Sequence, residues 1–157
     1  MRPGRLALVA CLALPPLAAC YSGPATPTAT PPGYSCCTAL DVETHYQPGQ
    51  TLTLHWTVVP GRGSPRIAPQ VELTARLTGP YPDSAALKAA TSDRNGAGEV
   101  TYPAAPVRPT GAVDERPVSV IQIGTDARPG LYNLAWSAAE SGGAFSGASV
   151  IQVVAKA

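Results

Sequence analysis

The chain has 157 residues with 11 basic and 10 acidic side chains, a net charge of +1. That length allows one domain, and the charge balance gives no electrostatic reason to seek DNA, RNA or an anionic surface. Glycine and proline, 15 and 18 residues, argue against a fold of long helices, while a 45% apolar content is enough to build a core.

The first informative stretch is N-terminal. Arg2 and Arg5 precede an apolar run at residues 6–14. As a helix this run would reach about 14 Å, under half of the ~30 Å hydrocarbon core, so it reads as a signal peptide rather than a span. Leu17-Ala18-Ala19-Cys20 follows. This resembles the lipobox of bacterial lipoproteins, and the resemblance implies cleavage after residue 19 and a lipid thioether on Cys20. Loss of residues 1–19 removes Arg2 and Arg5 and moves the net charge from +1 to −1. Attachment to the membrane then rests on the acyl chains, and the expected place is the extracytoplasmic side of the cell membrane or the outer membrane.

Residues 20–35 hold Pro, Thr, Ala and Gly with no charge and no apolar period. They read as an extended, polyproline-like tether with a reach of roughly 45 Å. With Cys11 in the signal peptide and Cys20 lipidated, the thiols left are the neighbours Cys36 and Cys37. Free thiols, a vicinal disulfide, a redox or metal-capturing pair and a cross-link to a second chain all stay open. Lying ahead of the first clear strand, the pair is expected to be peripheral and dispensable for folding.

From about Thr38 the pattern changes to strand-like alternation. Residues 51–58 alternate, with Leu52, Leu54, Trp56 and Val58 on one face and His55 on the other. Residues 70–78 repeat this with Val71, Leu73, Ala75 and Leu77 inward. Residues 118–123 alternate but change phase at Val120-Ile121, which predicts a bulge. Tyr132, Leu134 and Trp136 form another face, and residues 149–154 close the series. Weaker strand candidates are residues 39–44, 87–92 and 99–102, and residues 84–90 fit either a strand or one helical turn. Gln47-Pro48-Gly49, Pro60-Gly61, Gly79-Pro80, Asn95-Gly96 and Arg128-Pro129-Gly130 supply turns. The expected fold is all-β, an antiparallel sandwich of seven or eight strands over residues 36–157. Trp56 and Trp136 are expected to be largely buried in its core, among Leu52, Leu54, Leu73, Leu77, Tyr132 and Leu134.

Two stretches carry a family resemblance. Thr91-Ser92-Asp93-Arg94-Asn95-Gly96-Ala97-Gly98-Glu99-Val100-Thr101-Tyr102 resembles a hairpin common in bacterial immunoglobulin-like domains. Asp126-Ala127-Arg128-Pro129-Gly130-Leu131-Tyr132-Asn133-Leu134 resembles the corner that leads into their penultimate strand. The resemblance implies an immunoglobulin-like sandwich in which the Tyr132 hydroxyl bonds back to nearby backbone. The intersheet cysteine pair of antibody domains is absent from the sequence.

No sequence signature of catalysis is found: there is no G-x-S-x-G elbow, H-E-x-x-H pair, phosphate loop or dinucleotide fingerprint. His45 and His55 lie on separate elements, and Asp41, Glu43, Asp83, Asp114, Glu115 and Glu140 read as solvated loop charges. Cys36, Cys37 and His45 are the one conceivable set of ligands for a soft cation. The sequence therefore points to a lipid-anchored, non-catalytic module without a cofactor, binding an envelope protein or a glycan-type polymer. Its rivals are a small-molecule or metal-handling lipoprotein built on Cys36-Cys37 and a structural accessory subunit of an envelope complex. An immunoglobulin-like sandwich would bring the loop at residues 59–69, with Arg62 and Arg66, next to the loop at residues 138–148, with Phe145. That end is the candidate docking patch, and the alternative is that Phe145 folds back to cover the end of the sandwich. The long segment at residues 103–117 is its competitor.

Overall fold

In the computed structural model the described residues are 32–61, 70–92, 98–112, 114–140 and 142–156. Among the described residues seven strands and two short helices follow one another as β1 (Gly33–Cys36), α1 (Ala39–Glu43), β2 (Thr51–Val59), β3 (Glu72–Tyr81), α2 (Ser84–Ser92), β4 (Val100–Pro103), β5 (Val118–Gln122), β6 (Gly130–Glu140) and β7 (Gly143–Val153). They form two antiparallel sheets, one in the order β1-β2-β5 and one in the order β4-β3-β6-β7. The fold is an all-β sandwich.

Alternation sets which face each strand buries. On β2 the residues Leu52, Leu54 and Trp56 point inward, and on β3 Leu73, Ala75 and Leu77 do the same. Leu52, Leu54, Ala75 and Leu77 meet Tyr132, Leu134, Ile121, Ile151 and Val153 between the sheets. A second cluster of Tyr34, Trp56, Val71, Leu73 and Ala138 closes one end. Trp56 is 3% exposed and meets Trp136 edge to face, with ring centroids 5.8 Å apart. Trp136 is half-buried rather than enclosed, because its indole lies over Gly147 on the edge strand β7. The Gln47-Pro48-Gly49 turn holds, with Gly49 at φ 85°, a conformation that glycine adopts without cost.

The structure corrects several sequence expectations. β1 begins at Gly33, inside the segment read as tether, and Tyr34 is 5% exposed. Residues 39–44 are not a strand: Thr38 and Asp41 form a capping box that starts α1. Residues 84–92 form a true helix, α2, whose Ala86 N–H donates to Asp83 Oδ1 at 2.8 Å. Alanine, leucine and lysine favour that choice. Hence the stretch at residues 91–102 starts in a helix and is not a strand–strand hairpin; residues 93–97, with its Asn-Gly turn, lie outside the described residues. The bulge expected at Val120-Ile121 is absent, and β5 pairs with β2 in unbroken register. Its inward residues are Ser119 and Ile121, with Ile123 buried just beyond, while Val120 faces out. Ser119 can be buried because its Oγ accepts the Trp56 Nε1–H at 3.0 Å. The register shift in fact lies on β3, between Thr78 and Tyr81.

Candidate functional site: an open trough across the four-stranded sheet

The outer face of β4-β3-β6-β7 is paved with small side chains because the outward positions of adjacent strands coincide in register. Thr74 lies opposite Ser137 and Ser137 opposite Ser146. One level along, Arg76 lies opposite both Pro103 and Ala135, and Ala135 lies opposite Ala148. The two rows leave a trough of about 700 Å³ that crosses all four strands. Thr74 Oγ1 and Ser137 Oγ are 2.9 Å apart on its floor. The exposed Arg76 guanidinium is its cation, and at one border Arg108 pairs with the Glu72 carboxylate. Hydroxyls, a cation and a shallow apolar floor suit hydrogen bonding along an extended chain; among the described residues no nucleophile–base pair lines the trough.

A second constellation surrounds Asp41. Its side chain is 7% exposed. Oδ2 accepts the backbone N–H of His55 at 2.8 Å and that of Thr38 at 3.1 Å, and Oδ1 lies 2.9 Å from His55 Nδ1. Burial pushes the Asp41 carboxyl up, but the hydrogen bonds from His55 and Thr38 outweigh it and hold the group below the usual carboxylate range. Tyr46 donates its hydroxyl to the Asp41 carbonyl at 2.9 Å. Asp41 is therefore no solvated loop charge. It ties α1 to β2, and half-exposed His55 acts here as a structural partner.

Cys36 and Cys37 are joined to each other in a disulfide. Both pack against the main cluster, and Cys36 faces Trp56 in the strand register. The pair is thus part of the sandwich rather than peripheral to it, which corrects the sequence reading. Among the described residues no three His, Cys, Asp or Glu side chains converge as a metal site, and His45 is exposed. Phe145 is 71% exposed, but it lies on β7 and not in the loop expected at residues 138–148, most of which is strand. Arg62 and Arg66, its expected companions, lie outside the described residues, as does Cys20. The competing segment at residues 103–117 continues the edge of β3, where Leu73 and Val107 exchange backbone hydrogen bonds of 2.8 and 2.9 Å. Glu115 then gathers the N–H groups of Thr110 and Gly111.

Sequence reasoning missed the trough. Its signal was the run of small outward residues on three separate strands, visible as a surface only once the register is known. Among the described residues no helix is long and apolar enough to cross a membrane. No protein-family model matches the chain, and no curated protein is significantly similar to it.

Proposed function

We propose that the protein is a lipid-anchored, non-catalytic module of the cell envelope that holds an extended envelope polymer in the trough on its four-stranded sheet. The observation that carries this reading is the trough itself, a cleft of about 700 Å³ floored by Thr74, Ser137, Ser146, Ala135 and Ala148. Its hydroxyls can donate and accept along a polyhydroxylated chain, and Arg76 adds a contact for an anionic substituent. The lipobox-like Leu17-Ala18-Ala19-Cys20 supports the anchor.

An immunoglobulin-like ancestry is part of the proposal. The neighbours β1-β2-β5 and β3-β6-β7 follow the order of strands A-B-E and C-F-G in such domains. The Tyr132 hydroxyl donates to the Arg128 carbonyl at 2.8 Å, as a tyrosine corner does near the start of strand F.

The test has two arms. Cys20→Ser should move the protein from the detergent phase to the aqueous phase. Ser137→Trp, which fills the trough, should reduce retention on an insoluble envelope-polymer preparation by at least about tenfold, corresponding to the loss of one or two hydrogen bonds to a charged or polar chain. Equal retention of folded Ser137→Trp and wild type overturns the trough as the binding surface, and an unchanged partition of Cys20→Ser overturns the anchor.

A further inference from the structure

The free edge of β7 differs from the other sheet edges in the described residues. β1, β4 and β5 are edge strands of four or five residues, and β4 ends in Pro103 while Pro117 precedes β5. Short strands and prolines are the usual means of keeping edges from pairing. β7 has eleven residues, GAFSGASVIQV, with no charge, no proline and an unbroken register with β6. Its far end is already used as an edge: Tyr46 N–H donates to the Gln152 carbonyl at 3.0 Å, and Val154 N–H donates to the Tyr46 carbonyl at 2.8 Å. Those bonds show which residues turn their backbone groups outward. By the alternation of an antiparallel pair, Ala144, Ser146, Ala148 and Val150 present the same outward N–H and C=O groups. Gly147 stands at the centre of that span, which no described residue caps.

We propose that this edge pairs with the β7 edge of a second copy of the chain, antiparallel, about a two-fold axis at Gly147. An antiparallel pair of identical strands is two-fold symmetric by its geometry, so the surface is self-complementary without further adjustment. Ser146 then pairs with the partner's Ala148, and Ala144 with the partner's Val150, so that every uncapped backbone group finds a partner. No like charges are brought together across the axis. Two of the large apolar side chains left exposed in the monomer, Phe145 at 71% and Val150 at 48%, lie on this strand, one on each face. The register sets Phe145 opposite the partner's Ser149, diagonal to the partner's Gly147 and the Trp136 ring that covers it.

The register has a further result. The trough leaves the monomer at Ser146, Gly147 and Ala148, the same residues that surround the axis. Pairing there joins two troughs end to end across a continuous eight-stranded sheet. At about 4.8 Å per strand the joined trough is roughly 34 Å long, a surface suited to a polymer and not to a small molecule. This last step rests on the trough being the binding surface; the dimer itself does not.

Sedimentation equilibrium of the full chain in density-matched detergent tests the pairing. Wild type should sediment as a dimer in the micromolar range. Ala148→Pro removes an outward N–H that takes no part in β6–β7 pairing, and the two-fold doubles that loss, so association should weaken at least about tenfold while circular dichroism stays unchanged. Ser146→Lys, which sets two ammonium groups diagonally across the axis, should act in the same direction. A wild type that is monomeric throughout, or a dimer indifferent to both substitutions, overturns the proposal. Because the readout is mass and not polymer retention, this outcome is independent of the trough test.

Discussion

Both carboxylate oxygens of Asp41 engage His55, Oδ2 accepting its backbone N–H at 2.8 Å and Oδ1 facing its Nδ1 at 2.9 Å. One side chain thus fixes both the backbone and the ring of a residue on the neighbouring strand. Asp41→Ala leaves the part-buried N–H groups of His55 and Thr38 without this acceptor, and we expect a loss of about 1–2 kcal/mol in urea unfolding. The pH dependence has a definite sign. The folded-state carboxyl lies below its unfolded value, so its contribution is complete above the ordinary carboxylate pKa of about 3.9. It is lost as the pH falls from there through the lowered folded value. An acid titration of Tm should show this slope in wild type and a shallower one in Asp41→Ala; parallel curves would count against the pairing.

The two tryptophans should respond differently to truncation although they touch. Trp56→Ala removes a buried ring and strands the Ser119 hydroxyl that it bonds, for an expected cost of about 3–5 kcal/mol. Trp136 is only half-buried, so its truncation should cost less. Gly147→Ala should also destabilise, by about 1–3 kcal/mol, because a Cβ there overlaps the Trp136 ring. Denaturant midpoints in the reverse order for the two tryptophans would contradict this packing.

Three tyrosine hydroxyls provide an internal comparison. Tyr132 donates to Arg128 and Tyr46 to Asp41, so each Tyr→Phe change should cost about 0.5–1.5 kcal/mol. The buried Tyr34 hydroxyl has no hydrogen-bond partner among the described residues, and Tyr34→Phe should be neutral or slightly stabilising. Thermal melts of the three variants check this ranking, and a Tyr34→Phe loss as large as the other two would refute it.

Replacing Cys36 and Cys37 by serine should cost about 1–3 kcal/mol, since two hydroxyls would then face the apolar cluster that the sulfurs touch. The alanine pair should cost less. A double serine variant as stable as wild type would return the pair to the periphery, where the sequence alone had set it.

Strand positions were legible wherever large apolar residues alternate with polar ones, as in β2 and β3. Legibility failed where a side chain's type misstates its place. Val118 and Val120 look like core residues, yet the inward position between them belongs to Ser119, acceptable there only because Trp56 supplies a donor from another strand. Asp41 looks solvated until the fold brings His55, fourteen positions away, onto it. The small residues of the trough carry no signal one by one, because their meaning depends on the register of β3, β6 and β7. The helices were the more avoidable errors, since Thr38 with Asp41 and Asp83 with Ala86 are capping patterns that adjacent residues encode.

The Cys36–Cys37 bridge spans a sequence separation of one and so encloses no loop. A cross-link between distant residues stabilises mainly by restricting the denatured chain; this one leaves the denatured chain almost as free as if it were absent. No covalent bond it makes runs from one sheet to the other. Cohesion between β1-β2-β5 and β4-β3-β6-β7 through this pair is a matter of sulfur atoms as filling and not as a rivet. Oxidised and reduced protein should consequently melt close together, with any difference tracing to how well two thiols occupy the space of one bridge.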